Sequence, residues 1–386
     1  MHVGLVVAND VDYGLDLTNA LVEAGMSVTL YLSFKHTALY MWGTERPEAA
    51  SQSDGLIERM YELGLVPRSC RVRLFHFPRV RDPRSLAVLG KMRQDLFGDR
   101  VDVVHILMGP GELWLAILAC LIRHLPVVST MIIPKPNVGE RLPVTILWII
   151  AKLLALGSHL VIVNGADQIE IVHRLYGIST SRIAYVPLGP RTTAIKWAKQ
   201  NYCEEPGTVL FPGKAQPRKG LEYLINAQSL ITSQVPDAKI VIAAHGEELR
   251  RCRAMIKDES KFEIHDEFLT GTELAVFFQK ASLVTLPYLS ASTSGLVMTA
   301  YVFGKPVVTT NVGSLPEYVE NGVTGFLVPP ADSEQLANAI VSLLCDAKQR
   351  LQMGENARHW IKEKQLRVAM ETSKAYKTAQ QIYRKG

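Results

Sequence analysis

The 386-residue chain is short of most features that mark a specialised environment. Its five cysteines, Cys70, Cys120, Cys203, Cys252 and Cys345, are odd in number and never fall into a C-x-x-C spacing. A zinc knot or thioredoxin-like pair therefore has no support, and a reducing compartment fits best. No uncharged apolar run reaches the roughly 18–20 residues of a spanning helix: Leu113–Ile122 stops at Arg123, and Leu142–Leu156 carries Lys152. Met1-His2-Val3-Gly4-Leu5 lacks a basic region before its apolar residues, so no signal peptide is expected. There is little excess charge: 42 Lys+Arg against 37 Asp+Glu give +5, too mild to point to nucleic acid. With 20 prolines, 27 glycines and no fixed repeat, collagen, low-complexity disorder and solenoids are excluded.

What is there is a regular alternation of apolar strands and helices. Val3–Ala8, Ser27–Leu32, Val72–Phe77, Val101–Leu107, Val127–Ile132, His159–Val163 and Ile183–Val186 read as strands, with helices such as Leu15–Ala24 between them; Asn164 is expected to cap the helix that ends at Gly177. The pattern fades between Pro187 and Pro206. It restarts with Thr208–Phe211, Lys239–Ala244, Leu283–Pro287 and Val307–Thr310. Asp332 with Gln335 forms a capping box for a further helix. Continuous apolar strands alternating with helices predict parallel sheets covered on both faces. The expected fold is α/β, with two doubly wound domains facing across a cleft: 1–187, a linker at 188–206, 207–360, and a C-terminal helix at 361–386 returning to the first domain. Open sheets of this kind bind ligands beyond the carboxyl ends of their strands.

Several motifs have an ordinary explanation. Asp10-Val11-Asp12 could hold a divalent ion, but turn and helix-cap chemistry explains it, and no metal is expected. Gly109-Pro110-Gly111 follows a strand without the third glycine of a dinucleotide fingerprint; with Glu112 it reads as a turn on the ligand side. Val66–Arg100 holds nine Lys/Arg, among them Arg68, Arg71, Arg73, Arg79, Arg81 and Arg84, against three Asp. It is either a solvated face or a patch for anionic lipid heads or an anionic acceptor. Leu142–Leu156, with Trp148 and Lys152, is either a buried helix or one lying in a membrane interface.

Two segments point to phosphate. The strand Val209-Leu210-Phe211 leads into Pro212-Gly213-Lys214-Ala215-Gln216-Pro217-Arg218-Lys219-Gly220, where three cations in six residues precede a helix. Ammonium and guanidinium donors beside free helix amides make a strong anion site. The second is Tyr288-Leu289-Ser290-Ala291-Ser292-Thr293-Ser294-Gly295-Leu296, where hydroxyls and a glycine open a helix. Either the hydroxyls cap it or its amides are aimed at a phosphate. Two such sites in one domain suit the two phosphates of a nucleoside diphosphate.

A third element, Gly304-Lys305-Pro306-Val307-Val308-Thr309-Thr310-Asn311-Val312-Gly313-Ser314-Leu315-Pro316-Glu317, then Asn321-Gly322-Val323-Thr324-Gly325-Phe326-Leu327-Val328-Pro329-Pro330, reads as strand, turn, short helix and strand. Here the segment 208–345 resembles the donor-binding half of family 4 glycosyltransferases, retaining enzymes with two Rossmann-like domains (the GT-B fold). Gly213-Lys214 and Lys219-Gly220 match the family's glycine–arginine and lysine–glycine pairs, with lysine where arginine is usual. The first half matches through Gly14, in the place of a glycine that approaches the donor, and through Asp102-Val103-Val104-His105. The family's two donor-loop glutamates fall near Ala291 and Thr299, neither acidic; the chain resembles a subgroup with Ser294-Gly295 instead. A histidine usual after the fifth strand is replaced by Met131 or a neighbour.

The resemblance implies a retaining transfer from a nucleotide-sugar, a substrate and not a cofactor, to a lipid-linked or glycan acceptor. Lys214 and Lys219 are the expected catalytic cations. Gly14, Gly213, Arg218, Phe268, Leu269, Ser294, Gly295, Leu296 and Thr299 are expected at the donor. Gly109, Gly111, Glu112 and Met131 are expected at the acceptor. The location would be cytoplasmic, with an anionic membrane surface as a further partner through the first domain. The missing glutamates motivate an alternative, a non-catalytic nucleotide- or glycan-binding relative of the same fold; an epimerase of that fold is a further one.

Overall fold

A computed structural model describes residues 1–42, 52–77, 82–108, 112–134 and 144–385. The chain divides into two compact units, Met1–Gly189 with Lys364–Gly386, and Pro190–Glu363.

The first unit is built on strands β1 (His2–Val7), β2 (Ser27–Ser33), β3 (Arg71–Phe75), β4 (Val103–Met108), β5 (Val127–Met131), β6 (Leu160–Val163) and β7 (Ile183–Tyr185). All are parallel, in the order β3-β2-β1-β4-β5-β6-β7. Val3, Leu5, Val6 and Val7 are all fully buried, as expected of a strand covered on both faces. Gly14 lies in the helix Val11–Glu23, where a Cβ would come within 2.5 Å of Val7 Cγ2; glycine here lets the helix close on the sheet. Asn164 does not cap the next helix: Gln168–Tyr176 starts after Asp167, and the Asn164 amide N–H is held by the Gln168 side chain.

The second unit carries β8 (Thr208–Lys214), β9 (Lys239–His245), β10 (Phe262–His265), β11 (Leu283–Leu286), β12 (Val307–Thr310) and β13 (Gly325–Val328). These are again parallel, in the order β10-β9-β8-β11-β12-β13. β8 runs past Phe211 through Pro212 and Gly213 to Lys214. β11 pairs with it only at Val209 and Leu210, so Pro212 sits where one edge is open and no ladder bond is forfeited there.

The stretch 188–206 is not a bare linker. From Pro190 onward it packs as part of the second unit, with a short helix at Thr193–Lys196 and Trp197 buried against Gly271. The terminal helix runs unbroken from Ala347 to Lys385. Its final part belongs to the first unit. There Tyr376 Oη lies 2.8 Å from His105 Nδ1, while Thr130 Oγ1 lies 2.7 Å from the other ring nitrogen. Burial pushes His105 down to about 3, so the ring is neutral and serves as a structural link.

Part of the basic segment is paired. Asp99, with its side chain 1% exposed, is held by Arg71 and Arg73, Arg68 pairs with Glu58, and Arg84 pairs with Asp82. Arg79 and Arg81 lie outside the described residues. The helix Val144–Gly157 is neither wholly buried nor wholly exposed. Leu147, Ile150 and Leu154 enter the core, while Ile146, Trp148, Ile149 and Leu156 face outward. Among the described residues no helix is long and apolar enough to cross a membrane.

Candidate functional site

The strand order of the second unit reverses between β8 and β11, and loops diverging at such a point leave room for a ligand at the carboxyl ends. The two phosphate-type segments are the loops that leave these strands. After β8 comes Ala215–Gly220 and the helix Leu221–Gln234; after β11 comes Pro287–Ser294 and the helix Gly295–Val302. The loops are fastened to each other: the Leu289 amide donates to the Arg218 carbonyl at 2.8 Å. Gly220, at φ +66, sits so close that a Cβ would lie 1.9 Å from the Pro287 carbonyl oxygen. Gly213 faces Leu296, whose Cδ1 would be 3.0 Å from a Cβ. The third motif joins them through the Ser314 amide, which donates to the Ser292 carbonyl at 3.2 Å.

This frame gathers positive charge. Lys214 is exposed, Arg218 and Lys219 are partly so, and none pairs with a carboxylate among the described residues. Lys219 Nζ lies 3.5 Å from the centroid of the Tyr288 ring, a cation–π contact. Burial, aided by repulsion from Arg218, pushes the Lys219 ammonium well below its ordinary range. An anion arriving there would restore its charge. Tyr288 Oη is 3.2 Å from Ser294 Oγ, and Ser294 makes no side-chain cap to the helix Gly295–Val302. Ser294 thus does not cap the helix, and the first amides there have no side-chain acceptor from it. Arg191, 6% exposed, adds a fourth cation: its Nη2 would be 2.8 Å from a Cβ at Gly295. Sequence reasoning assigned Arg191 to the linker and missed it.

Beside Lys214 lies a flatter wall. Gly246 passes close to the loop, and the Ala215 amide donates to the His245 carbonyl at 2.8 Å. The His245 and Phe268 rings are 5.7 Å apart, with Phe268 44% exposed and Leu269 next to it in sequence. Burial and the Lys214 charge both lower the His245 pKa, which favours a neutral ring. His245 was missed too, although its register partner across the sheet is Lys214.

Other expected residues are placed differently. Thr299 is 9% exposed and its hydroxyl donates to the Gly295 carbonyl at 3.1 Å, so it is turned into its own helix. Gly14 is inside a helix against Val7 and not on a ligand-facing loop. Met131 belongs to the apolar core, 4% exposed, because β5 is covered on both faces. Glu112 precedes the helix Leu113–Leu121, and burial raises its pKa, with Lys35 pulling it back. Gly109 and Gly111 lie outside the described residues. Asp10 accepts from the Tyr13 amide at 3.3 Å as the cap of the first helix.

The comparisons with known proteins divide along the same line. Residues 13–193 match the model of Glycosyltransferase Family 4, and residues 206–346 match Glycosyl transferases group 1. A D-inositol 3-phosphate glycosyltransferase of Pseudarthrobacter chlorophenolicus is 29% identical over 214 residues, 52% of this chain and 51% of that protein. An alpha-D-kanosaminyltransferase of Streptomyces kanamyceticus is 26% identical over 49% of each. The chain thus spans about half the length of these curated relatives. Among solved structures, HepE of Anabaena in complex with UDP and glucose has a TM-score of 0.68 at 16% identity, covering 96% of this chain and 98% of that one. A sucrose-phosphate synthase of Thermosynechococcus elongatus has a TM-score of 0.67 at 18% identity over the whole of both.

Proposed function

We propose, for a chain whose two halves are of the family 4 glycosyltransferase type, a retaining transfer of a hexosyl group from a nucleoside-diphosphate sugar. The observation that carries this reading is the set Lys214, Arg218 and Lys219, without carboxylate partners among the described residues, at the end of β8 and on the loop after it, which interlocks with the loop after β11 at the reversal point of the second sheet. Breaking the anomeric C–O bond puts negative charge on the departing diphosphate. Lys214, Lys219 and Arg218 oppose that charge with the amides at Ser294, Gly295 and Leu296, and such preorganised stabilisation is the largest lever available to an enzyme of this kind. These groups supply the charge that a divalent metal would otherwise bring.

In the family that the chain resembles, the acceptor hydroxyl attacks from the side that the leaving group vacates, and the donor phosphate takes its proton; we propose the same here. The nucleobase lies against Phe268 and Leu269, with His245 alongside. That HepE has been crystallised with UDP and glucose, and with UDP-glucose, supports a uridine nucleotide as the first donor to try. The acceptor is a lipid-linked sugar or a glycan. The outward apolar residues Ile146, Trp148, Ile149 and Leu156 supply the first unit with a peripheral contact to an anionic membrane, on its cytoplasmic face.

The buried, inward-bonded Thr299 favours a second reading, a relative that binds a nucleotide without turning it over. A melting panel of nucleotide-sugars in excess EDTA, followed by assay of released nucleoside diphosphate, separates the two. A ligand at about 100 times its Kd adds roughly 2.7 kcal/mol. A donor that stabilises and releases diphosphate in EDTA is the expected result. Stabilisation without release supports the binding protein, and release that needs added Mn²⁺ refutes the role given to the lysines.

A further inference from the structure

A pocket in the Pro190–Glu363 unit opens at the opposite end of the sheet from the phosphate-type loops. Tyr202 and Glu204 precede β8, Gln279 precedes β11, and Phe303 and Lys305 precede β12, with Arg358 of the long helix completing the lining. The space is about 400 Å³, within the range of small-molecule sites.

Its charges do not balance. Lys305 is 9% exposed, and its nearest carboxylate oxygen, on Glu204, is 3.7 Å away. That is well beyond the roughly 2.7–2.9 Å of a charge-assisted hydrogen bond. Glu204 is shared: its Oε1 accepts from Arg350 Nη2 at 2.9 Å and from Ser282 Oγ at 2.8 Å, and only its Oε2 faces Lys305. Arg358 donates to the Phe303 carbonyl at 3.2 Å and pairs with Glu355. Three cations therefore share two carboxylates, and the buried Arg350 Nε has no acceptor among the described residues. Part of the surplus serves the carboxyl end of the helix Gly295–Val302, but a helix end carries only about half a charge. Burying a cation without full compensation is costly, and an anion would repay it. The rest of the lining suits an organic body. Tyr202 is an exposed ring at the pocket, Phe303 an apolar wall, and the Gln279 amide keeps its NH2 available because its oxygen accepts from the Tyr202 N–H at 2.7 Å.

We propose that this pocket binds a small organic anion, its carboxylate or phosphate on Lys305 and Arg358 and its body against Tyr202 and Phe303. The site is independent of the donor reading, since no residue of the phosphate-type loops lines it. The eight-residue helix Gly295–Val302, about 12 Å long, runs from those loops to this pocket, so one element ends in both.

The test uses inorganic phosphate, glucose 6-phosphate and citrate as probes, titrated by calorimetry and thermal shift into the full chain, Lys219→Ala and Lys305→Met. Glucose 6-phosphate or citrate is expected to bind the full chain and Lys219→Ala alike, and at least tenfold more weakly to Lys305→Met. Preference for one of the two distinguishes a sugar phosphate from a carboxylic acid. Should Lys305→Met not fold, Arg358→Gln reads the same site and is expected to weaken binding likewise. Binding of inorganic phosphate alone, no binding by any probe, or a loss that follows Lys219→Ala and spares the pocket variants overturns the proposal.

Discussion

The two units share a strand order but treat charge in opposite ways. In the first, four of the arginines that make the sequence look basic are paired: Arg71 and Arg73 close on Asp99, Arg68 on Glu58, Arg84 on Asp82. In the second, Lys214, Arg218 and Lys219 stand on a loop at the sheet's reversal point with no carboxylate partner among the described residues. A run of cations in a sequence says little until the acids that answer it are known. Charge that is answered within the fold contributes stability, and charge left unanswered is available to a ligand.

The contrast breaks first at Lys219. Lys219→Ala is expected to reduce sugar transfer roughly 10²-fold while the protein keeps its fold, because one preorganised donor to the leaving group is lost. Steady-state rates beside a melting curve check it, and unchanged turnover with unchanged donor affinity would remove Lys219 from the chemistry.

The answering half of the contrast is Asp99. Burial alone would raise its pKa, but hydrogen bonds from Arg73 and Tyr31 outweigh this and hold the carboxyl down at about 2. A depressed carboxyl stabilises the fold above its unfolded pKa, near 3.8, and that contribution fades as the pH falls towards 2. Asp99→Asn should therefore cost about 2 kcal/mol in urea unfolding at pH 7. The gap from the parent protein should close between about pH 4 and pH 2. A gap that stays constant with pH would show that packing, and not charge, makes Asp99 matter. Donor affinity should not move in the variant.

The smallest expected effect tests whether the paired arginines leave the membrane contact to apolar residues. Ile149→Glu, at a position 56% exposed, should weaken partition into anionic vesicles about tenfold, equivalent to about 1.4 kcal/mol. Sedimentation with liposomes measures it. Binding that is abolished by salt and indifferent to Ile149 would return the role to Lys and Arg.

Much of this was legible in the sequence because it is local. The apolar runs of β1, β8 and β12 announced parallel strands, and the Lys214–Gly220 and Ser294–Leu296 segments announced loops that open helices at the ends of β8 and β11. Two features escaped for the same physical reason. The role of Arg191 depends on the fold returning a segment from before β8 to the start of the helix at Gly295, and His245 becomes relevant only through its parallel register with Lys214. Met131 and Gly14 differ in the other direction: family position suggested ligand contact, while the structure puts Met131 in the core of a sheet covered on both faces and Gly14 in a helix closed on Val7. β10 (Phe262–His265) passed unnoticed as a short edge strand with no continuous apolar run.

The contact between Gly220 and Pro287 also bears on how this loop can change over generations. Every single-base change of a glycine codon that alters the residue and leaves the chain open brings in a Cβ, and here the Cβ would meet a carbonyl oxygen at 1.9 Å in a backbone with φ +66. Gly25 has a similar backbone, φ +81, but open space around it, and can drift towards aspartate. Gly220 has no such neighbouring step. A population sampled at random should record the geometry as a gap in its variation at that codon.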